Sequence, residues 1–114
     1  MKADVFESSL LYDCYAPMLT EKQRTFFDLY YNQDLSLSEI ALESGISRQS
    51  VYDTLSRTES ALRTMEAQLG CVRRARMLRS VAADLTAIAD ELSASGNLSL
   101  ASRVREAVQL MEKE

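Results

Sequence analysis

The chain has 114 residues, 13 basic and 17 acidic side chains, a net charge of −4 and no histidine. This length suits one domain, or one domain with a helical extension, and is enough to bury a modest core unaided. The acidity speaks against holding nucleic acid by bulk electrostatics, because phosphate neutralisation supplies most non-specific affinity. The missing histidine removes the commonest general base and metal ligand.

The three glycines and the one proline fall where helical patterns stop, and alternating strand runs are absent. An all-α fold is therefore expected. Residues 4–15 read as a short amphipathic helix with Phe6, Leu10 and Cys14 on its inner face and Leu11 and Tyr15 flanking it. Tyr15-Ala16-Pro17 ends it. Thr20 and Gln23 have capping-box spacing and open a second helix. Phe26, Phe27, Tyr30 and Tyr31 form its inner face, with one of the two tyrosines open to solvent. Asn32-Gln33-Asp34 is the connection onward.

Residues 36–58, SLSEIALESGISRQSVYDTLSRT, read as a helix-turn-helix. Ser36 and Glu39 supply a second capping box, and Ile40 and Ala41 face inward. Gly45 stands where the tight turn needs a positive φ. Ile46 plugs the corner, and Ser47 caps the next helix. Val51 and Leu55 then point to the core, which turns Arg48, Gln49, Tyr52, Asp53 and Ser56 outward. Arg48 and Gln49 have the chemistry for bidentate hydrogen bonds to base edges, and Ser50 or Tyr52 for phosphate contacts. Asp53 opposes this, and a plain solvated face is the other reading of the same residues.

The helix that follows is long. Val51, Leu55, Thr58, Leu62, Met65, Leu69 and Val72 alternate steps of four and three, which is heptad spacing. Gly70 either ends that helix or is tolerated inside it, at about 1 kcal/mol. The phase breaks at Arg73-Arg74-Ala75-Arg76. A new seam runs through Leu78, Val81, Leu85, Ile88 and Leu92 until Ser95-Gly96-Asn97. A last helix spans about 98–112, with Leu100, Val104, Val108 and Met111 inward. Residues 1–69 thus form a helix-turn-helix domain. Residues 70–114 form a helical extension packed on it or on a second subunit. At least one seam is too long for a small monomer, so a homodimer is expected.

Charge is unevenly spread. Residues 70–79 carry four arginines and no acid, whereas residues 20–69 carry five basic and eight acidic side chains. Arg73, Arg76 and Arg79 lie three apart as a slanting stripe, with Arg74 beside them. Such a band suits a phosphate backbone or an acidic protein surface, or else pairs with acids of neighbouring helices. No Gly-rich phosphate loop or nucleophile elbow is present, so no catalytic residue, metal or cofactor is assigned. Cys14 and Cys71 form no CxxC pair and read as two reduced thiols. With no secretory leader and no long apolar run, the expectation is a cytoplasmic protein without membrane insertion.

Residues 10–62 resemble the YlxM family of bacterial helix-turn-helix proteins. The matching segments are LTEKQR at 19–24, LYYNQDLSLSEIA at 29–41 and GISRQSVYD at 45–53. The resemblance implies a small cytosolic, non-enzymatic accessory of the signal recognition particle, whose partners are the particle's GTPase, its RNA or both. It also implies a helix-turn-helix similar to region 4 of sigma factors, with Arg48, Gln49 and Tyr52 as the signature surface. Two other functions stay open at this point. One is a dimeric DNA-binding regulator. The other is a helical adaptor that makes only protein contacts.

Overall fold

The computed structural model describes residues 4–113. They form α-helices and short 3₁₀ and π turns, in two compact units that meet between Val72 and Arg73. The all-α expectation holds.

The first unit is built on α1 (Val5–Tyr15), α2 (Glu21–Phe27), α3 (Leu37–Ser44) and α4 (Arg48–Leu69). Both capping boxes form. Thr20 accepts from the Gln23 N–H at 3.2 Å and Gln23 accepts from the Thr20 N–H at 2.9 Å. Each box satisfies two of the amide donors that a helix start leaves orphaned. A π turn, Asp28–Asn32, extends α2. The Asn32 and Gln33 amides donate to the Asp28 carboxylate at 2.9 and 2.8 Å, which holds that carboxyl below its ordinary value.

The core of this unit is one cluster of aromatic and aliphatic side chains. Tyr12 of α1 stacks on Phe27, and Phe27 on Tyr31, each pair with centroids 4.4 Å apart. Tyr30 meets Tyr31 edge to face, and both tyrosines are buried, so neither is the solvent-facing one expected. Helices α1, α2 and α3 all pack on α4. Along α4, Val51, Leu55, Thr58 and Leu62 are buried at heptad spacing. Thr58 is tolerated there because its hydroxyl donates to the Thr54 carbonyl at 2.8 Å.

The face of α1 differs from the expectation by one position. Ser8, Leu11 and Tyr15 are buried, Leu10 and Cys14 are half-buried, and Phe6 is 71% exposed. The reason lies 51 residues away. The Tyr15 hydroxyl donates to the Glu66 carboxylate at 2.7 Å and accepts from the Cys71 N–H at 2.9 Å. Glu66 also accepts from the Val72 N–H at 3.0 Å. This node ties α1 to the end of α4 and to the first amides of α5, so Tyr15 must point inward. Gly70 adopts φ 64° and ends α4, which settles the choice left open by the heptad run. The Cys14 thiol hydrogen-bonds Cys71, and burial, then that bond, pushes it up to about 11.

The second unit is a helical hairpin of α5 (Cys71–Ala94, of which Arg73 onward belongs here) and α6 (Leu98–Glu112). Arg105 of α6 pairs with Asp90 of α5 at 3.0 Å and donates to Ser93 at 3.1 Å. The expected inward seams need correction. Ala82, Ala89, Ala101 and Val108 are the buried residues, whereas Leu78, Val81, Ile88 and Leu100 are 41–47% exposed. Leu85, Leu92, Val104 and Met111 are half-buried. The seams are real, but they look sideways from the hairpin rather than into it.

Candidate nucleic-acid and partner interface

The helix-turn-helix forms as its local signals dictate. Ser36 accepts from the Glu39 N–H at 3.1 Å, and Glu39 accepts from the Ser36 N–H at 3.1 Å. Gly45 takes φ 71°, and the Ile46 N–H closes the turn onto the Ala41 carbonyl. Ser47 then caps α4 by accepting from the Ser50 N–H at 3.1 Å. Val51 and Leu55 are fully buried, so the orientation of α4 against α3 is fixed by packing.

That orientation leaves Arg48, Gln49 and Ser50 exposed and Tyr52 41% exposed, as a reading surface requires. Two of the four carry other bonds. The Gln49 amide donates to Asp53 at 3.0 Å, and the Ser50 hydroxyl accepts from Ser47 at 3.0 Å. Gln49 therefore offers its carbonyl oxygen more readily than its donor pair, and Asp53 places a carboxylate within the outward set. On α3 the outward side carries Glu39, Glu43 and Leu42, the last 87% exposed. Sequence reasoning did not single out Leu42. Its lack of an inward partner is decided by the α3–α4 packing, which takes Leu37, Ile40 and Ala41 instead. This face mixes one arginine, three carboxylates and exposed apolar area, which suits a protein or a structured RNA loop as well as a DNA groove.

The arginine band is the second candidate. Arg73, Arg74, Arg76 and Arg79 are all exposed near the start of the second unit, on continuous helix. Arg73, Arg76 and Arg79 advance along one surface in steps of three, and Arg74 lies about a quarter turn from Arg73. The structure thus brings each candidate set together within its own unit. A third group, unseen in the sequence reading, is the Tyr15–Glu66 node. Burial first, then the bond to Glu66, raises the Tyr15 hydroxyl above its ordinary value. Only the stop at Gly70 hinted that a joint needed fixing there.

No helix among the described residues is long and apolar enough to cross a membrane. Among them no three cysteine, aspartate or glutamate side chains gather into a metal-holding set.

Comparison with known proteins places the helix-turn-helix in context. A family model for YlxM / p13-like helix-turn-helix proteins matches residues 3–101. A UPF0122 protein of Thermoanaerobacter sp. strain X514 is 51% identical over 74 residues, 65% of this chain and 63% of that one. A UPF0122 protein of Shouchella clausii is 43% identical over 95 residues, 82% of this chain and 87% of the relative. One from Streptococcus agalactiae is 52% identical over 59 residues, 52% of this chain and 54% of the other. The aligned segment thus spans under two thirds of the Thermoanaerobacter relative's length. The family is one of helix-turn-helix proteins. The chain belongs to this UPF0122, YlxM / p13-like family.

Proposed function

We propose that the chain is a non-enzymatic accessory of the signal recognition particle, contacting the particle's GTPase, its RNA or both. The reading starts from the YlxM resemblance. The observation that favours it over duplex reading is the segregation of charge. The densest basic segment, Arg73–Arg79, lies outside the helix-turn-helix, while the outward face of α4 carries the Gln49–Asp53 bond. A duplex reader needs its positive charge around the recognition helix. An accessory with an arginine band can instead dock phosphates or an acidic surface there and use the helix-turn-helix for protein contact. Docking of this kind acts by binding one nucleotide or assembly state of the partner more tightly than the other.

The test is co-purification from cells at low salt, with the proteins identified and the nucleic acid sequenced. Recovery of the particle's GTPase or RNA by the wild type is expected. Replacing Arg73, Arg74, Arg76 and Arg79 by Ala should lower that recovery at least tenfold. Recovery of neither component overturns the reading.

One observation favours a second reading, a DNA-binding regulator: the turn is fully capped, and Arg48, Gln49 and Tyr52 face outward together. It predicts a duplex shift that weakens steeply with added salt. No shift on any duplex at low salt excludes it.

A further inference from the structure

The second unit has an apolar face that its own helices do not cover. Helical phase at 3.6 residues per turn puts Leu78, Val81, Leu85, Ile88 and Leu92 on one side of α5. The positions that face α6, Ala82 and Ala89, lie about a quarter turn away. On α6, Leu100, Val104 and Met111 are offset toward that same side from the inward Ala101 and Val108. The two stripes therefore merge into one continuous surface running along the hairpin. Val81, Ile88 and Leu100 on it are more than two-fifths exposed with the whole chain present. Among the described residues of the second unit, only three alanines and one valine are buried, less than the core that a unit of this size needs.

We propose that this face is covered by the same face of a second copy of the chain, giving a four-helix bundle with a two-fold axis along the hairpin. Three observations select this occupant. First, the α5 stripe advances in steps of three, four, three and four, the spacing that fits side chains between those of neighbouring helices. Second, the footprint is adequate. Over the length of α6, about 22 Å, a helix pair roughly 20 Å wide projects to about 440 Å², over half of the ~800 Å² per partner of a standard interface before side-chain relief is counted. Third, the charges beside the face are self-complementary. Asp84 and Glu91 lie on the outer flank of α5 and Arg103 on the outer flank of α6, all exposed.

The charges also choose the axis. The Arg105–Asp90 pair sets residues near 91 of α5 level with residues near 104 of α6. An axis along the hairpin lays α5 on the partner's α6 at the same height and brings Glu91 beside Arg103 of the other copy. An axis across the helices would lay α5 on its own copy, acidic flank on acidic flank. The favoured arrangement also puts the start of α5 from both copies at one end, so that each arginine band is doubled there. The inference stands apart from the identity of the functional partner.

The experiment is sedimentation equilibrium or light scattering on the full chain from about 1 to 100 μM. A species of twice the 12.8 kDa chain mass is expected for the wild type. Val81→Glu with Ile88→Glu should give a monomer. Because two buried-face charges also threaten the hairpin itself, surface charge reversal gives the decisive arm. Glu91→Arg and Arg103→Glu should each weaken the dimer about tenfold. The double swap should restore at least half of that loss on a logarithmic scale. A wild type that stays monomeric at 100 μM overturns the proposal, as does a double swap no tighter than either single variant.

Discussion

In the first unit Phe27, Ile40, Val51 and Leu55 are completely buried; in the second, Leu78, Val81 and Ile88 are nearly half exposed, and alanines hold the inward positions. Both sets of residues show clear helical periodicity in the sequence. The difference lies in what covers them. Helices α1, α2 and α3 wrap α4 on several sides, so each α4 stripe residue meets a neighbour within the same unit. Helix α5 has α6 on one side and presents its largest residues on another. A periodic apolar stripe therefore reports that a helix has a partner, without reporting whether the partner lies in the same chain.

The sharpest way to break this contrast is a matched pair of truncations. Leu55→Ala removes a fully buried side chain from a closed core and should cost about 2–5 kcal/mol in urea unfolding. Ile88→Ala removes one that is 47% exposed. In dilute protein it should change stability by no more than about 0.5 kcal/mol. Its cost should appear only as the concentration rises. Equal costs in dilute solution would show that the second unit is closed within the chain.

The next effect tests the node that ties α1 to the end of α4 and the first amides of α5. Tyr15→Phe keeps the ring but deprives Glu66 of a donor and the Cys71 N–H of its acceptor. A loss of about 1.5–3 kcal/mol is expected, the range for bonds to a charged group. The hydroxyl ionises at a higher pH in the folded chain than in the unfolded one. The stability it contributes is therefore full below pH 10 and lost as pH rises beyond it. The variant should lack that part of the alkaline decline in melting temperature. An identical decline in both proteins would remove the node from the account.

Gly45→Ala tests the turn. Beyond the adjoining backbone, no heavy atom lies within 4 Å of the added methyl, so the cost is that of holding φ 71° without glycine. About 1–2 kcal/mol is expected by thermal unfolding. A neutral result would mean that the turn relaxes out of the left-handed region.

Helix starts and the helix-turn-helix were legible because their determinants are local. Ser36 with Glu39 and Thr20 with Gln23 act over three residues, and Gly45 acts on its own φ. The inner face of α1 was not legible, because it is set by Tyr15 reaching Glu66 across 51 positions. Nor was the inward side of α5, where size misleads. Leucine, valine and isoleucine look like core, yet Ala82 and Ala89 are the residues facing α6. Within the candidate site, the outward residues followed from the burial of Val51 and Leu55. The bond from Gln49 to Asp53 depends on rotamers that a sequence does not fix.

The smallest effect concerns a defect inside the closed unit, and it has the opposite sign. One oxygen of Glu59 is buried without a hydrogen-bond partner, and burial raises its carboxyl above the usual value while Arg63 pulls it down. A carboxyl with a raised folded value contributes fully below its unfolded value, near 4.5, and loses that contribution as pH rises through the folded one. Glu59 thus opposes folding at pH 7 and not at pH 4. Glu59→Gln keeps the shape and removes the charge, so it should stabilise the chain at pH 7 by on the order of 1 kcal/mol. At pH 4 the variant and the wild type should unfold alike. A carboxylate with one buried, unpartnered oxygen has room for such improvement. An equal gain at both pH values would trace it to packing and not to the buried charge.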